Sequence, residues 1–514
     1  MNQKICGYQL DNQQQDIVLD DNKYLLVVAG AGSGKTLTIL GKIYYLVAVK
    51  KIDPKDILAI SFTRASANSL KEKIEKEFNY TMPVYTFHKL SLEILKNSNN
   101  KYKIADSNSL ESIIHEFFTI SILDYPDYMK IVLRYFNIKS NKNIKEKYQL
   151  FYNNNYQKVE LLERLISTFL HLLKCNDYKL NDFTKFLKKI KHTLSYKTYK
   201  KEKCFLILAL NFYIQYQDYL KENNEIDFDD MISYATNYVR ENGIIHNYKY
   251  IIIDEYQDTS YVRFCLVKEI INKTGSRLMV VGDDFQSIYR FTGCDLSLFL
   301  DFNKYFPGAK IKKIENTYRN SQELIRVAGD FVMKNRKQIK KNLKSHKRLN
   351  KPIQIVYYKN NIRSTFKKLI EEIYHNTSKP IMILGRNNRD INRLLDSEIT
   401  IDKDGKVSYS KNKNIILYYM TSHKSKGLEE ENVIIINMDN SFLGFPNQIK
   451  DDRIIRVVNK SFEKYPFSEE RRLFYVAITR TKNYTYLLVP DKNKSMFIEE
   501  ILKTHKKYIS IKTS

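Results

Sequence analysis

Tyr24 to Leu40 reads Y-L-L-V-V-A-G-A-G-S-G-K-T-L-T-I-L. An apolar run (Tyr24 to Val28) leads into small residues, then Lys35-Thr36, then a helix-like stretch from Leu37. Buried strand, tight loop and helix in that order form a phosphate-binding unit of a parallel α/β sheet. Ala29 stands where the usual pattern has its first glycine. Ala29, Gly30, Ala31, Gly32, Ser33 and Gly34 are all small, so consecutive backbone N–H groups can turn inward on phosphate oxygens at a helix N-terminus. Lys35 would reach the β/γ-phosphates, and Thr36 would offer its hydroxyl to Mg²⁺. The expected cofactors are therefore ATP and Mg²⁺.

At 514 residues the chain is too long for one core. Hydrophobic residues make up 43% and charged residues 28%, with a mean hydropathy of −0.46, which fits a globular protein and excludes a long disordered tail. No run approaches a membrane span, and Met1 to Gln15 is polar rather than signal-like, so no membrane association and a cytoplasmic location are expected. Eighty-five Lys+Arg against 58 Asp+Glu give a net charge of +27, which suits a polyanion partner, nucleic acid first. The five cysteines form no Cys-x-x-Cys pair and have no histidine at metal-ligand spacing; reduced, mostly buried thiols are expected.

Further strands surround the loop. Ile57 to Ile60 runs into Ser61-Phe62-Thr63-Arg64, and Val84-Tyr85 into Thr86-Phe87-His88; each puts an aromatic beside polar hydrogen-bonders at the ligand-binding edge of a sheet. Ordinary core is the other reading of Phe62 and Phe87. From about Lys96 to Glu225 the periodicity becomes helical and Lys- and Tyr-rich, predicting a helical insertion. The sheet resumes at Tyr250 to Ile253 and ends in Asp254-Glu255. There Asp254 is suited to hold Mg²⁺ and Glu255 to polarise an attacking water. Leu278 to Val281 leads into Gly282-Asp283-Asp284-Phe285-Gln286-Ser287-Ile288-Tyr289-Arg290-Phe291-Thr292-Gly293, which mixes a nucleotide sensor, Gln286, with groups that stack on bases. Apolar strands between Ile353 and Val489 describe a second α/β domain without a phosphate loop, carrying Thr421 to Glu429 and Glu469 to Arg480.

This set of motifs, in this order, resembles the UvrD/Rep-like superfamily 1 DNA helicases, and within them most the DNA helicase IV branch. That branch's amino-terminal extension is expected to have no counterpart. The resemblance implies an α/β fold of two RecA-like motor domains: 1–95 with 226–308 (1A), a helical insertion at 96–225 (1B), and 309–514 (2A). It implies ATP in the cleft and movement 3′ to 5′ on single-stranded DNA. It makes Gln14 the adenine reader, Tyr318 the base-stacking partner and Glu429 the ribose contact. Gln286, Arg319 and Arg480 become γ-phosphate sensors, Arg480 being the arginine finger. The DNA-binding positions are Phe62, Thr86, Phe87, His88, Tyr289, Arg290, Phe291 and His423. Phe291 replaces the tryptophan of many relatives, and Thr292 replaces an arginine. Between Ser321 and Met420 only about 100 residues are available, too few for the 2B domain that Rep and UvrD insert there; at most a hairpin around Asp402 to Gly405 is expected. The expected partners are single-stranded and tailed duplex DNA. The alternative function is a DNA-stimulated NTPase beside a nuclease or repair protein, sensing DNA ends.

Overall fold

The computed structural model of the chain describes residues 4–98, 101–139, 143–460 and 463–513. Its first sheet has six parallel strands: β1 (Tyr24–Ala29), β2 (Ile57–Ile60), β3 (Val84–Tyr85), β4 (Tyr250–Ile253), β5 (Arg277–Gly282) and β6 (Lys310–Ile314), in the order β3-β2-β4-β5-β1-β6. Alternation along β1 explains why its run is apolar throughout. Leu25, Val27 and Ala29 enter one core and Leu26 and Val28 the other, as a strand covered on both faces requires. Strand β6 departs from the expected boundary at residue 308, since Lys310–Ile314 pairs with β1 (Leu26 opposite Ile311) and belongs to the first sheet. It is a lysine-rich edge strand, and Lys312 reaches Asp16 and Asp20 at 2.7 and 2.8 Å. Those lysines hide it from a hydrophobicity reading.

The insertion leaves the first half after Leu95. Its two crossings pair with each other, Lys103–Ile104 running parallel to Glu225–Ile226. Between them lie helices, the longest Tyr156–Cys175 and Tyr196–Glu222, as the periodicity predicts. They close over a core of their own that includes Phe118, Phe169, Phe205 and Phe212.

The second sheet has eight strands: β7 (Ile353–Tyr358), β8 (Ile381–Gly385), β9 (Ile399–Ile401), β10 (Lys406–Tyr409), β11 (Leu417–Thr421), β12 (Glu430–Ile435), β13 (Thr481–Pro490) and β14 (Ile509–Thr513), in the order β9-β10-β11-β8-β12-β13-β7-β14. The strands from β11 to β14 in that order are parallel. Strands β9 and β10 form an antiparallel hairpin, with Ile399 opposite Tyr409 and the turn at Asp402 to Gly405. The segment from Ser321 to Met420 is taken up by the helices Gln322–Val332 and Ile362–Thr377 and by strands β7 to β10 and most of β11. Strand β14 escapes the sequence reading because Ile509 and Ile511 are separated by polar residues on a sheet edge.

One excursion of the second half is not self-contained. Asn447 N–H donates to Glu470 at 2.9 Å, and Glu463 accepts from Arg472 at 2.6 Å; between these anchors the chain crosses to the insertion. There Ile454, Ile455, Val457 and Val458 join the insertion's core, and Lys460 donates to the carbonyl of Asn176 at 3.0 Å. This strap ties the second half to the insertion. Ile454→Ala should destabilise that junction by about 2–5 kcal/mol. The expected readout is faster tryptic cleavage within 450–460 with an unchanged far-UV circular dichroism spectrum.

Candidate nucleotide cleft and aromatic groove

The phosphate loop spans β1 and the helix Lys35–Tyr44. No side chain caps that helix, so its first N–H groups face the loop. Gly34 sits at φ +78°, where a Cβ would lie 2.7 Å from Gln14 Nε2. The left-handed backbone explains the need for glycine, and Gln14 would also have to shift. Gln14 is buried, its Nε2 donating to the carbonyl of Ser33 at 3.1 Å and its Oε1 accepting from Asp11 N–H at 3.0 Å. In this structure it braces the loop with both ends of its amide.

Lys35 Nζ lies 3.0 Å from Glu255 Oε1. Glu255, two residues past β4, lies in the left-handed region at φ +53°. Burial pushes the Asp254 carboxyl up, and the like charge of Glu255 adds to this. Although burial opposes it, Lys35 and Lys426 hold Glu255 below the usual carboxylate range. Lys426 comes from the second half and pairs with Asp258 of the first, its Nζ also 2.8 Å from the carbonyl of Gln286. Burial raises Asp258 to about 6 against that lysine. Three carboxylates thus face two ammonium groups. The residual negative charge, with the oxygen donors of Thr36 and Asp254, fits a hard divalent cation such as Mg²⁺.

From the second half Arg480 donates to Gln286 Oε1 at 3.2 Å and to the carbonyls of Leu428 and Val476 at 3.2 and 2.9 Å. Burial and the neighbouring Arg319 lower Arg480 to about 9, so it stays charged at neutral pH. Arg319 is paired with Glu429, so these two expected nucleotide contacts hold each other. Tyr318 is 57% exposed, its hydroxyl 2.6 Å from Asp11. Ala29 is the last residue of β1, and Gly30, Ala31 and Ser33 lie in the loop itself, the carbonyl of Ala31 accepting from Thr317 at 2.6 Å.

The DNA-side residues divide into two groups. Phe62 stacks on Tyr289 at 5.7 Å, Tyr289 and Phe291 meet at 6.1 Å, and Phe291 meets His423 at 5.7 Å, a continuous aromatic run across both halves. Phe291 is the exposed member, and burial lowers His423 to about 4, leaving it neutral. The other group is enclosed. Phe87 is buried in the first core beneath Arg263, and Thr86 caps the helix Phe87–Leu95 by accepting from Lys89 N–H at 3.2 Å. His88 packs edge-on to Phe228 at 5.3 Å and is lowered to about 4 by burial. Arg290 is bound by Glu469 at 3.0 Å and Asp451 of the strap at 2.7 Å.

Several of these contacts were not read from the sequence: Lys426, Gln257 (donating to Glu255 at 2.5 Å) and Arg263. Lys426 stands in the quoted stretch Thr421 to Glu429, so position in a motif could have found it. His171 and Cys175, one helical turn apart, meet Asp229: His171 Nδ1 is 2.6 Å from Asp229 Oδ2, and Cys175 Sγ is 3.6 Å from His171 Nε2. That corrects the reading that no histidine stands at ligand spacing to a cysteine. Cys175 also fixes Gly293, at φ +79°, where a Cβ would fall 2.4 Å from the cysteine's own. Cys175, Cys204 and Cys294 are buried; Cys6 and Cys265 are partly exposed. No helix among the described residues is long and apolar enough to cross a membrane.

Residues 10–307 match the UvrD/REP helicase N-terminal domain, and residues 395–491 the UvrD-like helicase C-terminal domain. The ATP-dependent DNA helicase Rep of Buchnera aphidicola (subsp. Schizaphis graminum) is 32% identical over 380 residues, 72% of this chain and 51% of that protein. DNA helicase IV of Escherichia coli is 27% identical over 496 residues, 95% of this chain and 69% of that protein. The ATP-dependent DNA helicase PcrA of Bacillus subtilis is 29% identical over 366 residues, 70% of this chain and 43% of that protein. The chain spans about half the length of most of the curated relatives it matches.

Gly34→Ala should weaken binding of a fluorescent ATP analogue about tenfold or more, because the alanine relieves its left-handed strain by moving the loop out of this shape, and restoring the shape for the phosphates costs about 1–3 kcal/mol. Equilibrium titration of the folded variant checks this.

Proposed function

The chain belongs to the UvrD/Rep helicase family, and on that premise we propose that it is an ATP-driven 3′-to-5′ single-stranded DNA translocase and helicase. The observation that carries the reading is Arg480 of the second half meeting Gln286 of the first, on the same cleft as Lys35 and Glu255.

In this reading the residues act in sequence. Lys35 exchanges its counter-ion, leaving Glu255 for the β/γ-phosphates, and Glu255 is then free to accept a proton from the attacking water. Thr36 and Asp254 hold Mg²⁺, which supplies charge neutralisation of the polyphosphate. Gln286, Arg319 and Arg480 gather on the γ-phosphate, where a guanidinium stabilises charge on the transferring group. Arg319 and Glu429 part from each other to do this, Glu429 turning to the ribose. Tyr318 offers its exposed ring to the base, and Gln14, bracing the loop, reads the adenine edge. Hydrolysis therefore requires the halves to close, and closure moves Tyr289 and Phe291 along the aromatic run with Phe62 and His423. Bases stack there, while Thr86, Phe87 and His88 form the floor and Arg290 meets phosphate once freed from its acids. The net charge of +27 supports loading through the DNA backbone. The domain assignment is 1A and 2A for the two sheets, with strand β6 added to 1A, and 1B for the insertion. A cytoplasmic location accompanies the reading.

Glu255→Gln should lose DNA-stimulated ATP turnover by about 10²-fold or more while keeping nucleotide binding. Normal turnover in that variant would overturn the site assignment. Strand separation should occur on duplexes with a 3′ tail and not on those with a 5′ tail only, and DNA affinity should fall steeply with added salt. If turnover is stimulated by DNA but no tailed duplex is ever opened, the DNA-end-sensing ATPase beside a nuclease or repair protein takes the helicase's place.

A further inference from the structure

Lys341 lies outside helix and strand, between the helix Gln322–Val332 and strand β7, yet its side chain is wholly buried. Its ammonium contacts Asp283, sits 2.7 Å from Asp284 Oδ1, and lies 3.5 Å over the ring of Phe285. Both aspartates are also wholly buried. Stability alone is a poor reason for such a cluster, because an apolar replacement of a buried ion pair or triad is often neutral or stabilising. Its neighbours indicate another use. Asp283 Oδ2 accepts from Gln286 Nε2 at 2.6 Å, and Gln286 Oε1 thereby faces Arg480 Nη2 at 3.2 Å. A primary amide has nearly the same shape when turned over, so its orientation is selected by Arg480, which only donates, on one side and by a partner that only accepts on the other. With Lys341 donating to the other oxygen, Asp283 is that partner. Leu343 of the same segment packs on Gly30 of the phosphate loop, and Asn342 N–H donates at 2.7 Å to Glu315, the residue after β6.

We propose that Lys341 is a positioning residue of the hydrolytic cleft, acting through Asp283 to fix which end of the Gln286 amide meets Arg480. This rests on the nucleotide-cleft reading above. Lys341 touches no substrate in this role; it sets the geometry of the sensor before the nucleotide arrives.

The test is a double-mutant cycle on the full chain, reading kcat for ATP at saturating single-stranded DNA and, separately, the Kd of a fluorescent ATP analogue. Lys341→Met should lower kcat about tenfold or more with Kd changed less than about threefold, and Lys341→Arg should restore most of the rate. In a Gln286→Ala background Lys341→Met should cause no further loss of kcat. Independent, additive losses would overturn the proposal, since they would mean that Lys341 acts on the fold and not through Gln286. Should Lys341→Met fail to fold, Lys341→Met with Asp284→Asn keeps the buried charge sum unchanged while removing the cation from Asp283. A folded double variant with wild-type kcat would also overturn the proposal. Normal turnover in Glu255→Gln would instead sink the cleft reading itself, so the two failures are distinguishable.

Discussion

The meeting of Lys35 and Lys426 over the carboxylates at the end of β4 is the interaction on which the rest depends. One lysine comes from the phosphate loop and the other from the second half, and Glu255 lies 3.0 Å from the first and 3.9 Å from the second. Like charges on Asp254, Glu255 and Asp258 cannot be crowded in a buried site without cations, so the loop and the second half are drawn to the same point. A bound polyphosphate would compete for the ammonium groups. In the proposed reading its arrival would change the counter-ions of both halves at once, giving a binding event leverage over domain position.

The stretch from Gly282 to Gly293 carries that leverage outward. Gln286 faces the cleft, and Tyr289 and Phe291 lie only three and five residues further on, within the aromatic run. Beyond them Gly293 lies against Cys175 of the insertion. A single short segment therefore touches the nucleotide side, the groove and the insertion. No long relay is needed to couple them.

Legibility in the sequence follows physical kind. The P-loop, the acids after β4 and the helical insertion were readable because apolar periodicity and local spacing encode them. Strands β6 and β14 were not, since edge strands lack the apolar run that marks central ones. Phe87 and Phe62 have similar flanks, but only packing distinguishes the buried ring from the one that stacks on Tyr289. Lys341 was invisible for another reason. A buried lysine in a lysine-rich stretch looks like a solvated one until its partners, more than fifty residues away in sequence, are brought to it.

The strap from Asn447 to Lys460 closes a ring of contacts through the molecule. First half, insertion, strap and second half are joined in a ring of contacts, with the cleft as its remaining joint. In an open chain of bodies each hinge moves independently, but in a ring one angle determines the others. Under the proposed cleft movement, the insertion would be displaced with the second half, through the apolar grip of Ile454 and Val458. The stiffness of that grip would set how much of each cleft movement reaches the insertion and how much is lost as slack.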